Sequence, residues 1–371
     1  MPKRIFRERL YRLHERTTMT PPKVSILMPV YNGAKYLYET LDSIFSQTYK
    51  NFELIILEDC SNDNSLEIIK SYNDLRVRIY TNDKNMGQTC SLNKGLKLAK
   101  GEYIAIHDQD DISLPERLQQ QVEFLDNNTE IPLVGTQGES IDKNGNILEK
   151  YKLPINPESI YLSLLLGRSS FIHSSITFRK MVILDEFSGY DESYRFFQDY
   201  DLYSRVSVKY EMGNINDFCL QHRVHKSSAS ISNIHLCNDD AIKITSHSIY
   251  SFLKIEMNDI VEYSTTLRLF KPVSKFIKVY DITDKILINF IKRYPNAKRN
   301  VETREIIANT YFKIADIYSF NRLASLKSFL LFKQYSFSKK IINCDARLFF
   351  LWFGGAEIRV LFRCLRSFLQ H

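Results

Sequence analysis

YIAIHDQDDISLPERL, residues 103–118, is the stretch of this 371-residue sequence that says most about the fold. A short apolar run with strand character leads up to His107, and three carboxylates follow within four positions: Asp108, Asp110 and Asp111. A buried strand that ends in so much negative charge predicts a ligand at the strand tip, because unpaired charges are costly next to a core.

Strand and helix patterns alternate around this stretch. We predict strands at 24–31, 52–59, 77–82 and 102–108, and helices at 36–48, 65–72 and 88–100. This alternation predicts an α/β fold with a mostly parallel, doubly wound sheet. In such sheets ligands bind outside the carboxyl ends of the strands. Three predicted strands end there in residues that could contact a ligand: Pro29–Asn32, Glu58–Asp59 and Asp108–Asp111.

The rest of the chain predicts a further α/β part and then a helical part. We expect a hairpin at 133–150, a helix at 157–167, a strand at 174–180 and a helix at 199–210. Beyond Asn233 the patterns are helical, at about 239–257, 258–294, 302–318 and 322–337. The predicted organisation is therefore a basic N-terminal segment 1–23, an α/β domain 24–233 and a helical region 234–371.

The net charge of +7 is unevenly distributed. Residues 1–23 carry 7 basic and 2 acidic residues, residues 234–371 carry 22 and 12, and the middle of the chain is acidic. Basic ends with interleaved apolar residues predict helices that lie on an anionic membrane surface. The alternative is that the aromatic tail packs against the domain or a second subunit. No aromatic-basic binding motif accompanies the charge, so we do not expect nucleic acid as a partner.

Other features point to the inner side of the membrane. No apolar run reaches the 18 to 20 residues or so that span a bilayer, and the N-terminus lacks the apolar core of a secretory signal. The six cysteines are scattered without a CxxC pair, as expected for reduced thiols. We therefore expect a cytoplasmic protein, peripherally associated with the inner face of the cell membrane.

The acids of the opening stretch suit a metal ion. Side chains alternate along a strand, so Asp108 and Asp110 would point the same way. Hard carboxylates favour Mg²⁺ or Mn²⁺, which keep positions open for phosphate oxygens. A single Asp-x-Asp is weak as a signal. For Asp111 the alternative is a helix cap, since Asp111 or Ser113 could cap a helix that begins near Pro115.

Several blocks of the sequence, in order, resemble the family 2 glycosyltransferases, which are inverting enzymes of the GT-A fold. They cover LMPVYNGAKYLYETLDSIFSQTYKNFELIILEDCSNDNS (27–65), NMGQTCSLNKGLKLAKGEYIAIHDQDDISLPERL (85–118), HSSITFRK (173–180), FFQDYDLYSRV (196–206) and RVHKSSAS (223–230). The resemblance spans about residues 23–232. Ordered blocks are far more specific than one DXD motif, so the resemblance implies the fold and a nucleotide-sugar donor.

The resemblance implies a role for each strand end. Pro29, Val30, Tyr31 and Asn32 would line the base and ribose, Asp108 would hold the ribose hydroxyls with Gln109 beside it, and Asp110 would bind the metal. Glu58 and Asp59 match an acidic pair, in which Asp59 would accept a hydrogen bond from the uracil imide N–H. Two positions depart from the family pattern: Glu58 stands for Asp, and Cys60 stands where Gly is usual.

The later blocks imply the catalytic base and a further metal ligand. Asp199 matches the base, although Gln198 replaces the usual Glu and a helix-capping role is the alternative for Asp199. His225 matches a histidine that closes on the diphosphate and can ligate the metal, and Arg223 beside it could neutralise phosphate charge. Arg117 could line the same region or form a helix-surface salt bridge. His173 could lie near the acceptor or in the core.

Together these features predict a metal-dependent inverting hexosyltransferase. It would move a sugar from a nucleotide-diphospho-sugar, with UDP favoured, to a glycan or lipid-linked oligosaccharide in cell-surface polysaccharide synthesis. The alternative from another class is a non-catalytic binding module that keeps the GT-A fold at the membrane. A thymidine donor would offer the same imide proton to Asp59.

Overall fold

The computed structural model describes residues 21–194, 196–225, 233–269 and 276–317. They group into two compact units that divide between residues 269 and 270. The N-terminal segment, the basic aromatic tail and the predicted helix 322–337 lie outside the described residues.

In the described residues, nine strands form one sheet. They are β1 Val24–Val30, β2 Phe52–Glu58, β3 Val77–Thr81, β4 Tyr103–Ile106, β5 Ile112–Ser113, β6 Leu133–Ile141, β7 Ile147–Lys150, β8 Thr177–Arg179 and β9 Gly213–Arg223. The strand order is β3-β2-β1-β4-β8-β6-β9-β5, and β7 pairs with β6. Strands β3, β2, β1 and β4 are parallel, whereas β8 runs antiparallel to β4 and β6.

Seven helices accompany these strands. They are α1 Leu37–Phe45, α2 Ser65–Ser71, α3 Gln88–Leu98, α4 Arg117–Asn127, α5 Pro157–Leu165, α6 Lys180–Phe187 and α7 Gln198–Lys209. Two more, α8 Ile234–Leu253 and α9 Met257–Leu269, complete the first unit, and α10 Phe276–Arg293 and α11 Val301–Ile317 belong to the second. The described helices include none that is long and apolar enough to cross a membrane.

The core explains why the first strands are apolar without interruption. Leu27 and Ile55 belong to an apolar cluster shared with α3, while Ile26 and Met28 belong to a second cluster shared with α1. Strands that are buried on both faces must present apolar side chains to each face. The carboxyl ends of β1, β2 and β4 then meet at one edge of the sheet, which positions the site.

Two details of the described residues differ from the sequence prediction. The helix after the acidic stretch begins at Arg117 without a side-chain cap, so neither Asp111 nor Ser113 caps it. The predicted strand 174–180 is a 3₁₀ turn, His173–Ser175, followed by the short β8. Within the predicted helix 258–294, the described residues are helical over Met257–Leu269 and Phe276–Arg293.

Candidate functional site

The end of β2 is an acidic pair that is held in place by backbone groups. Glu58 Oε1 accepts from Ser61 N at 2.6 Å and so closes the turn after the strand. The buried Asp59 carboxylate accepts from Asn82 Nδ2, Met86 N and Gly87 N, each at 2.8 Å. A carboxylate has about four acceptor positions, so Asp59 retains capacity for one more donor.

The end of β1 is tied to the loop after β4 by one side-chain amide. Gln109 Oε1 accepts from Tyr31 N at 2.8 Å, and Gln109 Nε2 donates to Tyr31 O at 3.1 Å. Asn32 follows in the left-handed region, with φ 51°, and its Oδ1 accepts from Asn62 N at 2.8 Å. Pro29 and Val30 are still within β1. The predicted nucleotide-binding residues of β1 and the acidic loop are thus brought together.

Asp108 lies at the centre of a polar network. Gln88 Nε2 donates to Asp108 Oδ1 at 2.9 Å, and Gln198 Nε2 donates to Gln88 Oε1 at 3.3 Å. Ser174 Oγ lies 3.4 Å from Asp108 Oδ2, and His173 Nδ1 lies 3.9 Å from Asp108 Oδ1. The network connects β4, α3, the 3₁₀ turn and the start of α7, so it fixes the carboxylate from three sides.

Asp110 and His225 are in direct contact although 115 positions separate them in the sequence. Asp110 Oδ2 and His225 Nε2 are 2.8 Å apart, and the imidazole stacks on the Tyr36 ring with centroids 5.3 Å apart. Burial raises the pKa of the Asp110 carboxyl, and the nearby charge of Asp108 raises it further. A cation at this point would relieve the repulsion between the two carboxylates.

The two contacting groups fit a divalent ion. Adjacent ligands of an octahedral ion, each about 2.1 Å from it, are separated by roughly 3 Å, close to the observed spacing. Among the described residues, no cluster of three or more His, Cys, Asp or Glu side chains is arranged to hold a metal. Mg²⁺ commonly takes one or two protein ligands and completes its shell with substrate phosphates and water, so a two-residue site is sufficient.

Arg223 has a different place from the one predicted. Its side chain is 1% exposed, and its guanidinium donates to Glu39 Oε2 at 2.6 Å and to Asp110 O at 2.9 Å. Arg223 N also donates to Asp111 Oδ1 at 2.8 Å. A buried and fully engaged guanidinium does not reach a phosphate, so Arg223 braces the acidic loop from below.

Asp111 and Arg117 are also structural supports. Asp111 is buried, accepts a hydrogen bond from Ser174 Oγ, and has a pKa raised by burial and by the charge of Asp110. Arg117 is buried too, and it donates to Ile106 O at 2.8 Å and to Ser113 Oγ at 2.9 Å. The surface salt bridge considered for Arg117 is therefore wrong.

Asp199 lies in the first turn of α7, whose N-cap makes no side-chain hydrogen bond. The charges of Asp199 and Asp108 both act on Tyr190, whose pKa is raised well above its usual value, first by burial and then by these two acids. Tyr190 OH in turn lies 3.3 Å from His173 Nε2. Tyr190 therefore contacts His173 and is influenced by the charges of Asp199 and Asp108. Asp201, by contrast, is paired with Arg205 at 2.7 Å and is structural.

Known proteins are similar to this chain in sequence and in fold. The model of the family described as glycosyl transferase family 2 matches residues 25–188. An uncharacterized glycosyltransferase of Methanocaldococcus jannaschii is 36% identical over 226 residues, which is 58% of this chain and 76% of that protein. The chain belongs to the family 2 glycosyltransferases.

Further comparisons agree with this membership. An uncharacterized glycosyltransferase of Haemophilus influenzae is 32% identical over 256 residues, 66% of this chain and 99% of that protein. Among solved structures, S. aureus TarS 1–349 in complex with UDP-GlcNAc has a TM-score of 0.55 and 17% identity, covering 84% of this chain and 91% of TarS 1–349. These results confirm the predicted family, the GT-A-type α/β fold and the assignment as a glycosyltransferase.

Some residues of the site were not found from the sequence. Gln88 and Glu39 contact Asp108 and Arg223 respectively, and both lie in helices whose apolar periodicity says nothing of their polar partners. The available signal was Gln198, which stands where the family usually has Glu. Its side-chain amide donates to the amide oxygen of Gln88.

Proposed function

We propose that this glycosyltransferase is a metal-dependent inverting hexosyltransferase that takes a sugar from a nucleotide-diphospho-sugar and gives it to a glycan or a lipid-linked oligosaccharide. Residues 24–233 would carry the reaction, and the helical region 234–371 would support it at the membrane. The observation that carries the proposal is the contact between Asp110 and His225 beside Asp108, at the edge where parallel strands end.

The donor site is assembled from the ends of three strands. The backbone of Val30–Asn32 and the turn at Glu58–Asp59 would bound the base and ribose, with Asp108 accepting from ribose hydroxyls. Asp59 has room for one more donor, which suits the imide N–H of uracil. The fold-related TarS has been solved in complex with UDP and UDP-GlcNAc, which supports a uridine donor here.

The metal proposed at Asp110 and His225 is Mn²⁺ or Mg²⁺. When bound, it would stabilise the charge that develops on the leaving diphosphate. The chain supplies the rest of the electrostatics: Gln88 orients Asp108, and Arg223 holds the backbone of the acidic loop. Pre-arranged groups of this kind stabilise a transition state without reorganising during the reaction.

Asp199 is the proposed general base. It would take the proton of the acceptor hydroxyl, whose oxygen then attacks the anomeric carbon from the face opposite the leaving nucleotide. One base suffices for such a displacement, and the configuration at that carbon inverts. Asp199 is half-buried at the start of α7, and its charge, like that of Asp108, raises the pKa of the buried Tyr190.

An Asp199→Asn variant tests the catalytic assignment. We expect the transfer rate to fall by about 10²- to 10⁴-fold, the usual range for losing a general base. Binding of UDP, measured by calorimetry with Mn²⁺ present, should remain within about twofold of the wild type. Asp217→Asn, an exposed acid on β9, is the matched control and should transfer normally. Full activity in the Asp199 variant would remove the residue from the mechanism.

The partners follow from this chemistry. A lipid-linked acceptor places the enzyme at the inner face of the cell membrane, where the basic ends of the chain would meet anionic phospholipid. A thermal-shift panel of UDP, dTDP, GDP and their sugars, with and without Mn²⁺, tests the donor. The true nucleotide should give the largest stabilisation, because the shift grows with the ratio of concentration to Kd.

A further inference from the structure

The second unit contains a helical hairpin with an exposed basic end. Tyr311 OH donates to Asp284 Oδ1 at 2.5 Å, which pairs a residue nine positions before the end of α10 with one ten positions after the start of α11. This pairing makes the two helices antiparallel. The turn between them, which contains the 3₁₀ helix Pro295–Arg299, therefore lies at one end of the hairpin.

The charges between positions 285 and 301 all have one sign, while the exposed Asp281 and the half-buried Glu302 flank this segment. From position 285 to position 301 the sequence has five cationic side chains and no Asp or Glu. All five are exposed: Lys285, Lys292, Arg293, Lys298 and Arg299. Within the described residues, no carboxylate forms a salt bridge with Lys285, Lys292, Lys298 or Arg299, while the Arg293 guanidinium lies 5.5 Å from the centre of the Tyr294 ring.

Apolar side chains are interspersed with these cations. Ile288 is 53% exposed and Val301 is 54% exposed. Lys285, Ile288 and Lys292 follow the spacing of one helix face, opposite the buried Leu287 and Phe290. A surface that combines exposed aliphatic side chains with cations is typical of helices that lie against anionic bilayers.

We propose that this surface, the basic turn formed by Lys285, Ile288, Lys292, Arg293, Lys298, Arg299 and Val301, docks on an anionic phospholipid bilayer. The cations would meet the lipid phosphates, and the two aliphatic side chains would enter the boundary of the acyl region. This inference rests on the membrane part of the proposed function and adds a defined contact surface, distinct from the sugar-transfer site of the first unit.

Nucleic acid is the other anionic partner that a basic surface could bind. Backbone recognition of nucleic acid relies on cations joined by hydrogen-bonding or stacking side chains. At the basic turn, the exposed side chains beside the cations include Asn289 and Asn296 as well as Ile288 and Val301. The two branched aliphatics gain free energy from a lipid boundary and little from a phosphate backbone, so they favour lipid.

The experiment compares two triple variants of the full chain that change the net charge equally. The first, Lys292→Glu/Lys298→Glu/Arg299→Glu, alters the basic turn. The control, Lys70→Glu/Lys100→Glu/Lys143→Glu, alters exposed lysines of the first unit. Binding is measured by co-sedimentation with vesicles of phosphatidylglycerol and phosphatidylcholine at 0.15 M salt, and with vesicles of phosphatidylcholine alone.

The expected results are specific. Each cation at an anionic surface strengthens binding by about fivefold, so the turn variant should lose on the order of a hundredfold and the control much less. A further variant, Ile288→Ser/Val301→Ser, keeps every charge and should also bind more weakly. Equal loss of vesicle binding in both charge variants would overturn the proposal. So would a turn variant that binds mixed-sequence RNA more weakly than the wild type but binds vesicles equally well.

The same variants separate this proposal from the catalytic one. Donor turnover in solution, with a soluble acceptor and no vesicles, should be unchanged in the turn variant because the altered residues lie in the second unit. Normal turnover with lost vesicle binding supports the docking surface. Absence of turnover in the wild-type protein would count against the proposed function. The comparison of vesicle binding between the two charge variants would still test the basic turn.

Discussion

Gln88 Nε2 donates to Asp108 Oδ1 at 2.9 Å, so a side chain from the first turn of α3 orients the carboxylate that follows β4. The carbonyl oxygen of the same amide accepts from Gln198 Nε2, one residue before Asp199. The direction of donation is set by the carboxylate, which can only accept. Gln198 must therefore be a donor, which accounts for an amide where the family often has Glu.

Gln198→Glu should weaken nucleotide binding. A carboxylate at position 198 can only accept, so the Gln88 amide would turn its NH₂ away from Asp108 and present its oxygen instead. Loss of a hydrogen bond to a charged group costs about 1.5–3 kcal/mol. We expect the Kd for UDP, measured by calorimetry with Mn²⁺, to rise by about tenfold or more.

The control for this variant is a rescue. Gln88→Lys combined with Gln198→Glu places an ammonium group, which is donor only, between the two carboxylates. UDP affinity should recover toward the wild-type value. Unchanged affinity in the single variant would show that the amide direction does not matter for Asp108.

Arg223→Lys should destabilise the fold and not just the site. The buried guanidinium serves Glu39, Asp110 O and Asp142 O at once, and a lysine ammonium cannot reproduce this planar set of donors. We expect a loss of about 3 kcal/mol in the free energy of unfolding by urea, because the carbonyls of Asp110 and Asp142 lose charged donors and each such hydrogen bond contributes about 1.5–3 kcal/mol. Glu39→Gln should cost below about 1 kcal/mol, since the Glu39 side chain is 63% exposed. Similar values for both variants would contradict the bracing role.

The sequence reveals the strand ends and leaves their supports hidden. Strand ends follow from apolar runs that stop at polar residues, which is why Asp59, Asp108 and Asp110 could be named as candidates. The contact between Asp110 and His225 joins positions 115 apart, and it was expected only because ordered blocks resemble a family. The pairing of Arg223 with Glu39 spans 184 positions, and no local pattern encodes such a distance.

A single sequence also does not show whether a charged residue is buried. The sequence predicts phosphate contact for Arg223, and a place in the site or a helix-surface salt bridge for Arg117. Both side chains are instead buried, where they donate to backbone carbonyls that need donors.

Asp59→Asn separates two roles of this acid. If Asp59 holds the loop after β3, the amide would face N–H groups of Met86 and Gly87 with a donor of its own, and stability should fall by about 1–3 kcal/mol. UDP affinity should fall as well, because the same turn bounds the nucleotide site. Urea unfolding and calorimetry measure the two effects, with exposed Asp83→Asn as the control. Lost UDP binding at unchanged stability would assign Asp59 to direct contact alone.

Removal of the proposed metal should abolish sugar transfer, and adding the metal back should restore it. Protein dialysed against a chelator should regain activity on titration with Mn²⁺ or Mg²⁺, because the Asp110–His225 contact would reopen to admit the ion. In Asp110→Asn, one of the two proposed protein ligands loses its charge. Mutation of residues that merely support metal ligands already lowers metal affinity by about 10- to 100-fold, so we expect half-saturation to need about a hundredfold more metal. Asp185→Asn, an exposed acid on α6, should titrate like the wild type. Full turnover in the presence of excess chelator, or identical titrations for all three proteins, would remove the metal from Asp110 and leave the diphosphate to be stabilised by the chain alone.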